Sequence, residues 1–221
     1  MKKQYHEVLS IPVAEISLQG ELIIPEQSKA IIIFSHGSGS SRMSKRNQYV
    51  ARYLNEHGFG TLLFDLLTSE EDQDYENRFD IDLLTERLVS TSLWLEKLPE
   101  AGGLPVGYFG ASTGAASALK AASVLQHIFA VVSRGGRPDL AMDELPDVKA
   151  PTLLIVGSLD EDVLDLNQKA YLKLNCEKRL EIVEGATHLF EEEGKLEQVA
   201  ELAANWFIDQ FCPEIFLPNH N

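Results

Sequence analysis

Short apolar runs alternate along this chain with segments of helical periodicity. Six such runs lie at 30–34, 61–64, 106–109, 128–132, 152–156 and 180–183. The spacing of apolar residues predicts helices at 47–57, between 80 and about 98, at 115–122, at 165–174 and a last helix ending near 211. Continuous apolar strands are covered on both faces, and strands that alternate with helices build a mostly parallel sheet. The sequence therefore predicts an α/β fold in a single domain over residues 1–221.

The beginning of the chain has a different pattern. Residues 7–11 and 13–24 alternate apolar and polar side chains, which is typical of half-buried antiparallel strands. We predict an N-terminal antiparallel hairpin here, with one turn near Pro12 and another near Gly20. Further along, the acidic stretch 70–76 predicts a solvated loop, so we expect no large apolar lid.

Charge and composition exclude several classes of function. The formal net charge is −15, which disfavours nucleic-acid or anionic-membrane binding because both need basic surface. The N-terminus lacks the apolar segment of a secretion signal, and no apolar run is long enough to cross a membrane. Two cysteines are too few for a disulfide framework or a zinc cluster. We expect a cytoplasmic monomer or homodimer that acts on a small-molecule substrate, with no metal, no cofactor, no nucleic acid and no membrane partner.

The pentapeptide at 110–114, Gly-Ala-Ser-Thr-Gly, lies between a predicted strand and a predicted helix. This pattern at such a junction is typical of a nucleophile elbow, a sharp turn that exposes a serine hydroxyl. The glycines on either side allow the strand and the helix to approach without a Cβ clash. We therefore predict Ser112 as a nucleophile.

A serine nucleophile needs a base to take its proton and a third group to orient that base. Asp160 follows the run 152–156, and His188 follows the run 180–183. The carboxyl ends of parallel strands lie at one edge of a sheet, so we expect both side chains near Ser112. Asp162, two residues beyond Asp160, is an alternative for the acid.

The loop after the run 30–34 is rich in glycine and serine and offers backbone amides for a developing oxyanion. The amide of Thr113, at the start of the elbow helix, is predicted as one donor. The amide of Ser38 is predicted as the second, with Gly39 as the alternative. His36 is interpreted as a residue that shapes this loop.

These motifs resemble those of the α/β-hydrolases over nearly the whole chain, including the chain order Ser112, Asp160, His188. The resemblance is greatest to the dienelactone hydrolase-like branch of small members with almost no lid. The segment 132–138 is similar to that of bacterial members that occur alone or joined to a phosphoribosyltransferase-like domain, and no such domain is present in these 221 residues. True dienelactone hydrolases use a cysteine nucleophile, whereas position 112 is a serine, which argues against dienelactone itself as the substrate. The resemblance implies hydrolysis of a small ester, lactone or thioester through an acyl-serine.

Four of the arginines are of interest: Arg42 and Arg134, which are predicted to bind substrate, and Arg46 and Arg137. Arg134 follows the run 128–132, so its guanidinium would lie near the site and bind a carboxylate or phosphate. The alternative is an internal salt bridge with one of the many acidic residues.

Two other functions remain open. A nucleotide-binding oxidoreductase would explain Gly37-x-Gly39 after a strand, although Arg42 replaces its third glycine. A non-catalytic binding or regulatory protein could keep the same fold.

Overall fold

A computed structural model of the protein describes residues 4–211, which form eight strands and five helices. The strands are β1 (Tyr5–Val13), β2 (Ile16–Ile24), β3 (Ile31–Ser35), β4 (Gly60–Phe64), β5 (Val106–Ala111), β6 (Val131–Arg134), β7 (Thr152–Gly157) and β8 (Lys178–Val183). The helices are α1 (Lys45–Glu56), α2 (Ile81–Leu95), α3 (Thr113–Val124), α4 (Glu161–Lys173) and α5 (Lys195–Gln210). In this part of the chain, no helix is both long and apolar enough to cross a membrane.

All eight strands form one sheet in the order β1-β2-β4-β3-β5-β6-β7-β8. The strands from β3 to β8 are parallel, whereas β1 pairs with β2 and β2 with β4 in antiparallel register. The predicted fold, a mostly parallel sheet with an N-terminal antiparallel hairpin, is confirmed. Because the parallel strands all end at the same edge, the loops that follow them meet there.

The side chains of β3 alternate between two cores, one on each face of the sheet. Ile31 and Ile33 belong to one apolar cluster, while Ile32 and Phe34 belong to the other, and all four are at most 1% exposed. Helices α1 and α5 cover the second face, and α2, α3 and α4 cover the first. This burial explains why β3 reads as a continuous apolar run.

The turn positions that we predict for the hairpin are wrong. The chain turns at residues 14–15, and both Pro12 and Gly20 lie within strands. Pro12 is tolerated because β1 is an edge strand. Gly20 lies where an added Cβ would be 2.7 Å from Ile11 Cδ1, so the glycine serves close packing and not a turn.

Two further boundaries differ from the prediction and matter for the site. Strand β6 extends to Arg134, which places this arginine at the strand's carboxyl end. Helix α4 begins at Glu161, so Asp160 occupies the N-cap position, and its side chain makes no capping hydrogen bond. The acidic stretch that we predict as a loop contains two short 3₁₀ turns, Glu71–Gln73 and Glu76–Phe79.

Candidate active site

Ser112 occupies a sharp turn between β5 and α3. Its backbone has φ +52° and ψ −122°, a conformation that a non-glycine residue adopts only when its surroundings enforce it. A Cβ on Gly110 would lie 2.5 Å from Ala115 Cα, and one on Gly114 would lie 2.2 Å from the Ser35 carbonyl oxygen. The two glycines thus allow the strand, the helix and β3 to meet at the turn that presents Ser112.

Asp160 and His188 form a hydrogen-bonded pair next to this turn. They follow the neighbouring strands β7 and β8, and Asp160 Oδ2 lies 2.7 Å from His188 Nδ1. The aspartate side chain is 15% exposed and the histidine side chain 37%. Because Nδ1 is engaged by the carboxylate, Nε2 is the ring nitrogen available for proton transfer. Asp162 is exposed in the first turn of α4 and is not part of this pair.

Ser112 and His188 line the same cavity, which has a volume of about 220 Å³. Among residues 4–211 no hydrogen bond joins the Ser112 hydroxyl to His188, a common feature of unliganded catalytic sites. The cavity is smaller than the range of about 300–1,000 Å³ that is typical of drug-sized ligands. It therefore suits a small substrate.

The end of β6 and the segment after it contact both Ser112 and His188. The Ser112 amide donates to the Arg134 carbonyl across 3.2 Å, and the Arg137 amide donates to the Ser112 carbonyl across 3.0 Å. Gly135, at φ +51°, lies against the imidazole: an added Cβ would be 3.5 Å from both Nδ1 and Cε1 of His188. Our sequence reasoning missed Gly135, for which the only signal was a glycine pair directly after a strand.

The loop after β3 packs on the first residue of α3. The Ser38 amide donates to Thr113 Oγ1 across 2.8 Å, and Thr113 is 2% exposed. Within the described chain, the amides of Thr113 and Gly39 have no acceptor. A backbone amide can donate to an oxyanion only if it is free or can exchange its present acceptor. Within residues 4–211 the Thr113 and Gly39 amides are free in this sense, whereas the Ser38 amide would have to exchange Thr113 Oγ1. The roles of Ser38, Gly39 and Thr113 stay predictions.

His36 fixes this loop through both nitrogens of its ring. Its Nδ1 lies 3.0 Å from the Gly37 carbonyl oxygen, and the Leu66 amide lies 3.1 Å from its Nε2. Since the Leu66 amide can only donate, Nε2 is the acceptor and Nδ1 carries the proton. Burial lowers the pKa of His36 and keeps the ring neutral. These contacts agree with the interpretation of His36 as a residue that shapes the loop.

The two arginines predicted to bind substrate lie in different places. Arg134 lines the cavity of Ser112 and His188, whereas Arg42 lines a neighbouring cavity and pairs with Asp65 through its guanidinium and its backbone amide. Arg42 is therefore not brought next to Ser112. For Arg134 the structure gives no salt bridge with any acidic residue in the described range, so the alternative of an internal ion pair finds no support there.

The surroundings of Arg134 disfavour the charged form of its side chain. Burial, and secondarily the nearby Arg46, lower the pKa of Arg134 to about 10. The residue is 7% exposed, and its Nε has no hydrogen-bond partner among the described residues. Arg46 lines the same cavity and forms an ion pair with Glu191 at 2.6 Å. The Ser112 cavity thus contains a buried cation that lacks a protein counter-ion within residues 4–211.

Comparison with known proteins identifies the family of this chain. The chain matches the model of the dienelactone hydrolase family over residues 18–212. The crystal structure of a dienelactone hydrolase from Anabaena variabilis is 50% identical, with a TM-score of 0.91, over 95% of this chain and all of that one. Est1E from Butyrivibrio proteoclasticus has a TM-score of 0.79 at 17% identity over 92% of this chain and 98% of its own, which shows a common fold alone.

A longer relative is known from two strains of Mycobacterium tuberculosis, where it is named as a phosphoribosyl transferase. It is 55% identical over 207 residues, which are 93% of this chain but 47% of the relative. The chain therefore spans about half the length of the curated relatives it matches.

Proposed function

Because the chain belongs to the dienelactone hydrolase family, we propose that it is a serine hydrolase that cleaves a small ester, lactone or thioester through an acyl-serine intermediate. One observation carries this proposal: His188, joined to Asp160 at 2.7 Å, lines the same cavity as a serine at φ +52°. A carboxylate that orients an imidazole beside an exposed serine is the arrangement that activates a hydroxyl nucleophile.

In the first half of the reaction, His188 Nε2 takes the proton of the Ser112 hydroxyl. The serine oxygen attacks the substrate carbonyl carbon, and the carbonyl electron pair moves onto oxygen. Collapse of this tetrahedral intermediate expels the leaving group, which receives the proton from His188. Asp160 stabilises the imidazolium and keeps the ring oriented. In the second half, His188 activates a water that releases the acid and restores Ser112.

The intermediate needs hydrogen-bond donors for its oxyanion. The Thr113 amide fits this role because it stands at the N-terminus of α3 and has no acceptor within the described residues. The second donor is the Ser38 amide, if it exchanges its bond to Thr113 Oγ1, or the unpartnered Gly39 amide. Removal of one such donor lowers kcat by a factor of about 10²–10³ in serine hydrolases.

The M. tuberculosis relative has the name of a transferase and not of a hydrolase. That name describes a protein of which this chain matches 47%, whereas the nucleophile, acid and base all lie in the matched part of this chain. A small cavity lined by Ser112 and His188, with Asp160 bonded to that histidine, supports acyl transfer to water.

Replacement of the nucleophile tests the proposal. Ser112→Ala should abolish p-nitrophenyl acetate hydrolysis and labelling by a fluorophosphonate probe, which replaces the hydroxyl proton and loses fluoride. Ser123→Ala, on the same helix α3 but outside the cavity, is the matched control and should react as the wild type does. Labelling of wild type at another residue, or no labelling at all, would favour a non-catalytic binding protein.

A further inference from the structure

We propose that the Ser112 cavity contains a phosphate subsite, built by Arg134, Arg46 and the N-terminus of α1, so that the substrate carries a phosphate group close to its scissile bond. This inference rests on the proposed function for its position next to the reacting atoms. The binding of phosphate itself does not depend on turnover.

Arg134 is the first element of this subsite. Its side chain lines the cavity while being 7% exposed, and it has no carboxylate partner within the described residues. Burial of an unpaired charge is costly, so a protein retains one where a ligand supplies the counter-charge. With its pKa at about 10, the guanidinium remains charged at pH 7.

A buried aromatic ring lies next to Arg134, and the residue that carries this ring has a strained backbone. The guanidinium carbon lies 6.0 Å from the centre of the Phe190 ring, which is 1% exposed. Phe190 itself has φ +56°, a left-handed conformation that is unusual for a bulky residue. Strain of this kind clusters at functional sites, where it holds a side chain in a required position. Here it holds an aromatic ring against the arginine that lines the cavity.

The second element is the first turn of α1. Ser44 caps this twelve-residue helix by accepting from the Asn47 amide, and Ser44, Arg46 and Asn47 all line the cavity. The positive end of the helix dipole therefore faces the same space as Arg134. The Nε of Arg46 and the Oδ1 of Asn47 are buried and have no partner among the described residues.

Within residues 4–211, Glu191 is the acidic residue that pairs with Arg46 and would compete with a ligand for it. It bonds Arg46 Nη1 at 2.6 Å, yet its side chain is 62% exposed. An ion pair with a largely exposed partner contributes little to stability because water screens it. A ligand anion can thus take the place of Glu191 without a large penalty.

The arrangement suits a phosphate more than a carboxylate. One bidentate arginine satisfies a planar carboxylate, whereas two arginines and a helix N-terminus approach from different elements and match a tetrahedral group with two charges. The unpartnered Asn47 Oδ1 needs a hydroxyl donor, which a protonated phosphate oxygen or a neighbouring alcohol supplies.

Calorimetry on the Ser112→Ala protein tests the subsite without catalysis. Inorganic phosphate should bind at least about tenfold more tightly than acetate, and Arg134→Gln in the same background should remove at least about tenfold of that affinity. Arg52→Gln, an exposed arginine further along α1, is the matched control and should leave the affinity unchanged. Equal binding of acetate, or full affinity in Arg134→Gln, would overturn the proposal.

A second measurement covers the case in which Arg134→Gln does not fold. Phosphate should protect wild-type Ser112 from the fluorophosphonate probe competitively, and Arg46→Gln should weaken this protection. Absence of protection would overturn the subsite while leaving the hydrolase intact, whereas absence of labelling with intact phosphate binding would overturn only the hydrolase.

Substrate comparison then places the phosphate near the scissile bond. Between two acetyl esters that differ only by a phosphate on the alcohol, wild type should prefer the phosphorylated one in kcat/KM by about tenfold or more. Arg134→Gln should bring this ratio close to one. A wild-type preference for the neutral ester would contradict the assignment.

Discussion

The Ser38 amide donates a hydrogen bond to Thr113 Oγ1 across 2.8 Å, which ties the loop after β3 to the residue that follows the nucleophile. Both residues are predicted to donate their amides to the oxyanion. The bond therefore connects the two halves of the predicted oxyanion hole and sets their separation before substrate arrives. The Ser38 amide is engaged by Oγ1 in this state, so it can donate to an oxyanion only by exchanging this bond, whereas the Thr113 amide has no acceptor within the described residues.

Thr113→Val should show how much this bond contributes. Valine keeps the shape of threonine but removes the acceptor, so the Ser38 amide is left without its partner. We expect a loss of about 1–3 kcal/mol in the free energy of unfolding, measured with urea. We also expect kcat to fall by about tenfold, less than the 10²–10³ expected for complete loss of a donor.

Thr113→Ser is the control, because it restores the hydroxyl and should recover both stability and kcat. An unchanged kcat in Thr113→Val, with the loss of stability present, would mean that the Ser38 amide takes no part in the oxyanion hole. Gly39 would then be the remaining donor in this loop.

Asp160→Asn should impair catalysis with little effect on stability. The change keeps the size of the side chain but removes the charge that orients His188 and stabilises the imidazolium. We expect kcat to fall on the order of 10⁴-fold with p-nitrophenyl acetate. Asp162→Asn is the matched control, since Asp162 is exposed on α4 and should retain wild-type activity. A comparable loss in both variants would contradict the assignment of Asp160.

The sequence predicts that Asp160 and His188 lie close together, because their positions depend on the topology of the strands. Each follows an apolar run, and parallel strands carry such residues to one edge whatever the side-chain packing. The choice between Asp160 and Asp162 was less secure because it depends on where α4 begins. The helix begins at Glu161, and this single boundary separates a carboxylate in the site from one in solvent.

Other features depend on contacts that a sequence pattern does not contain. A glycine in an alternating segment predicts a turn or a close approach equally well, and only the packing of Ile11 on Gly20 decides. The partner of Arg134 was equally open, because the chain offers 34 acidic residues. None of the described ones pairs with it, a fact about packing that the sequence pattern does not contain.

The burial of His36 should make stability depend on pH. Burial lowers its pKa in the folded state, opposed in part by its bond to the Gly37 carbonyl and by the charge of Asp65. Below pH 6.5, the unfolded chain protonates this histidine while the folded protein does not, until the pH reaches the lowered value. The unfolded state binds more protons in this window, so the free energy of unfolding decreases as the pH falls.

Urea unfolding at pH 7.5, 6.5 and 5.5 measures this effect, with a slope of at most about 1.4 kcal/mol per pH unit from one group. His36→Gln should be less stable at pH 7.5 and should lose that part of the slope. If wild type and His36→Gln lose stability in parallel, His36 is not the group responsible.

Gly135→Ala should disturb His188 without touching the reacting atoms. An added Cβ would lie 3.1 Å from the His188 carbonyl oxygen, closer than most Cβ contacts, and the residue would keep a φ of +51°. The loop that carries His188 must therefore give by a few tenths of an ångström, a fraction of the displacement of about 1 Å that costs about a hundredfold in rate. We expect kcat to fall by about tenfold, with KM nearly unchanged.

Gly103→Ala separates this effect from backbone strain. Gly103 has φ +72°, so alanine there bears a similar conformational cost of about 1 kcal/mol, but its Cβ would meet nothing within 4 Å. Both variants should thus bear this conformational cost in urea unfolding, to which the close contact adds in Gly135→Ala, while Gly135→Ala alone loses activity. Equal kcat in the two would mean that His188 keeps its position without Gly135, and that the segment after β6 acts on the site only through Arg134 and its hydrogen bonds to Ser112.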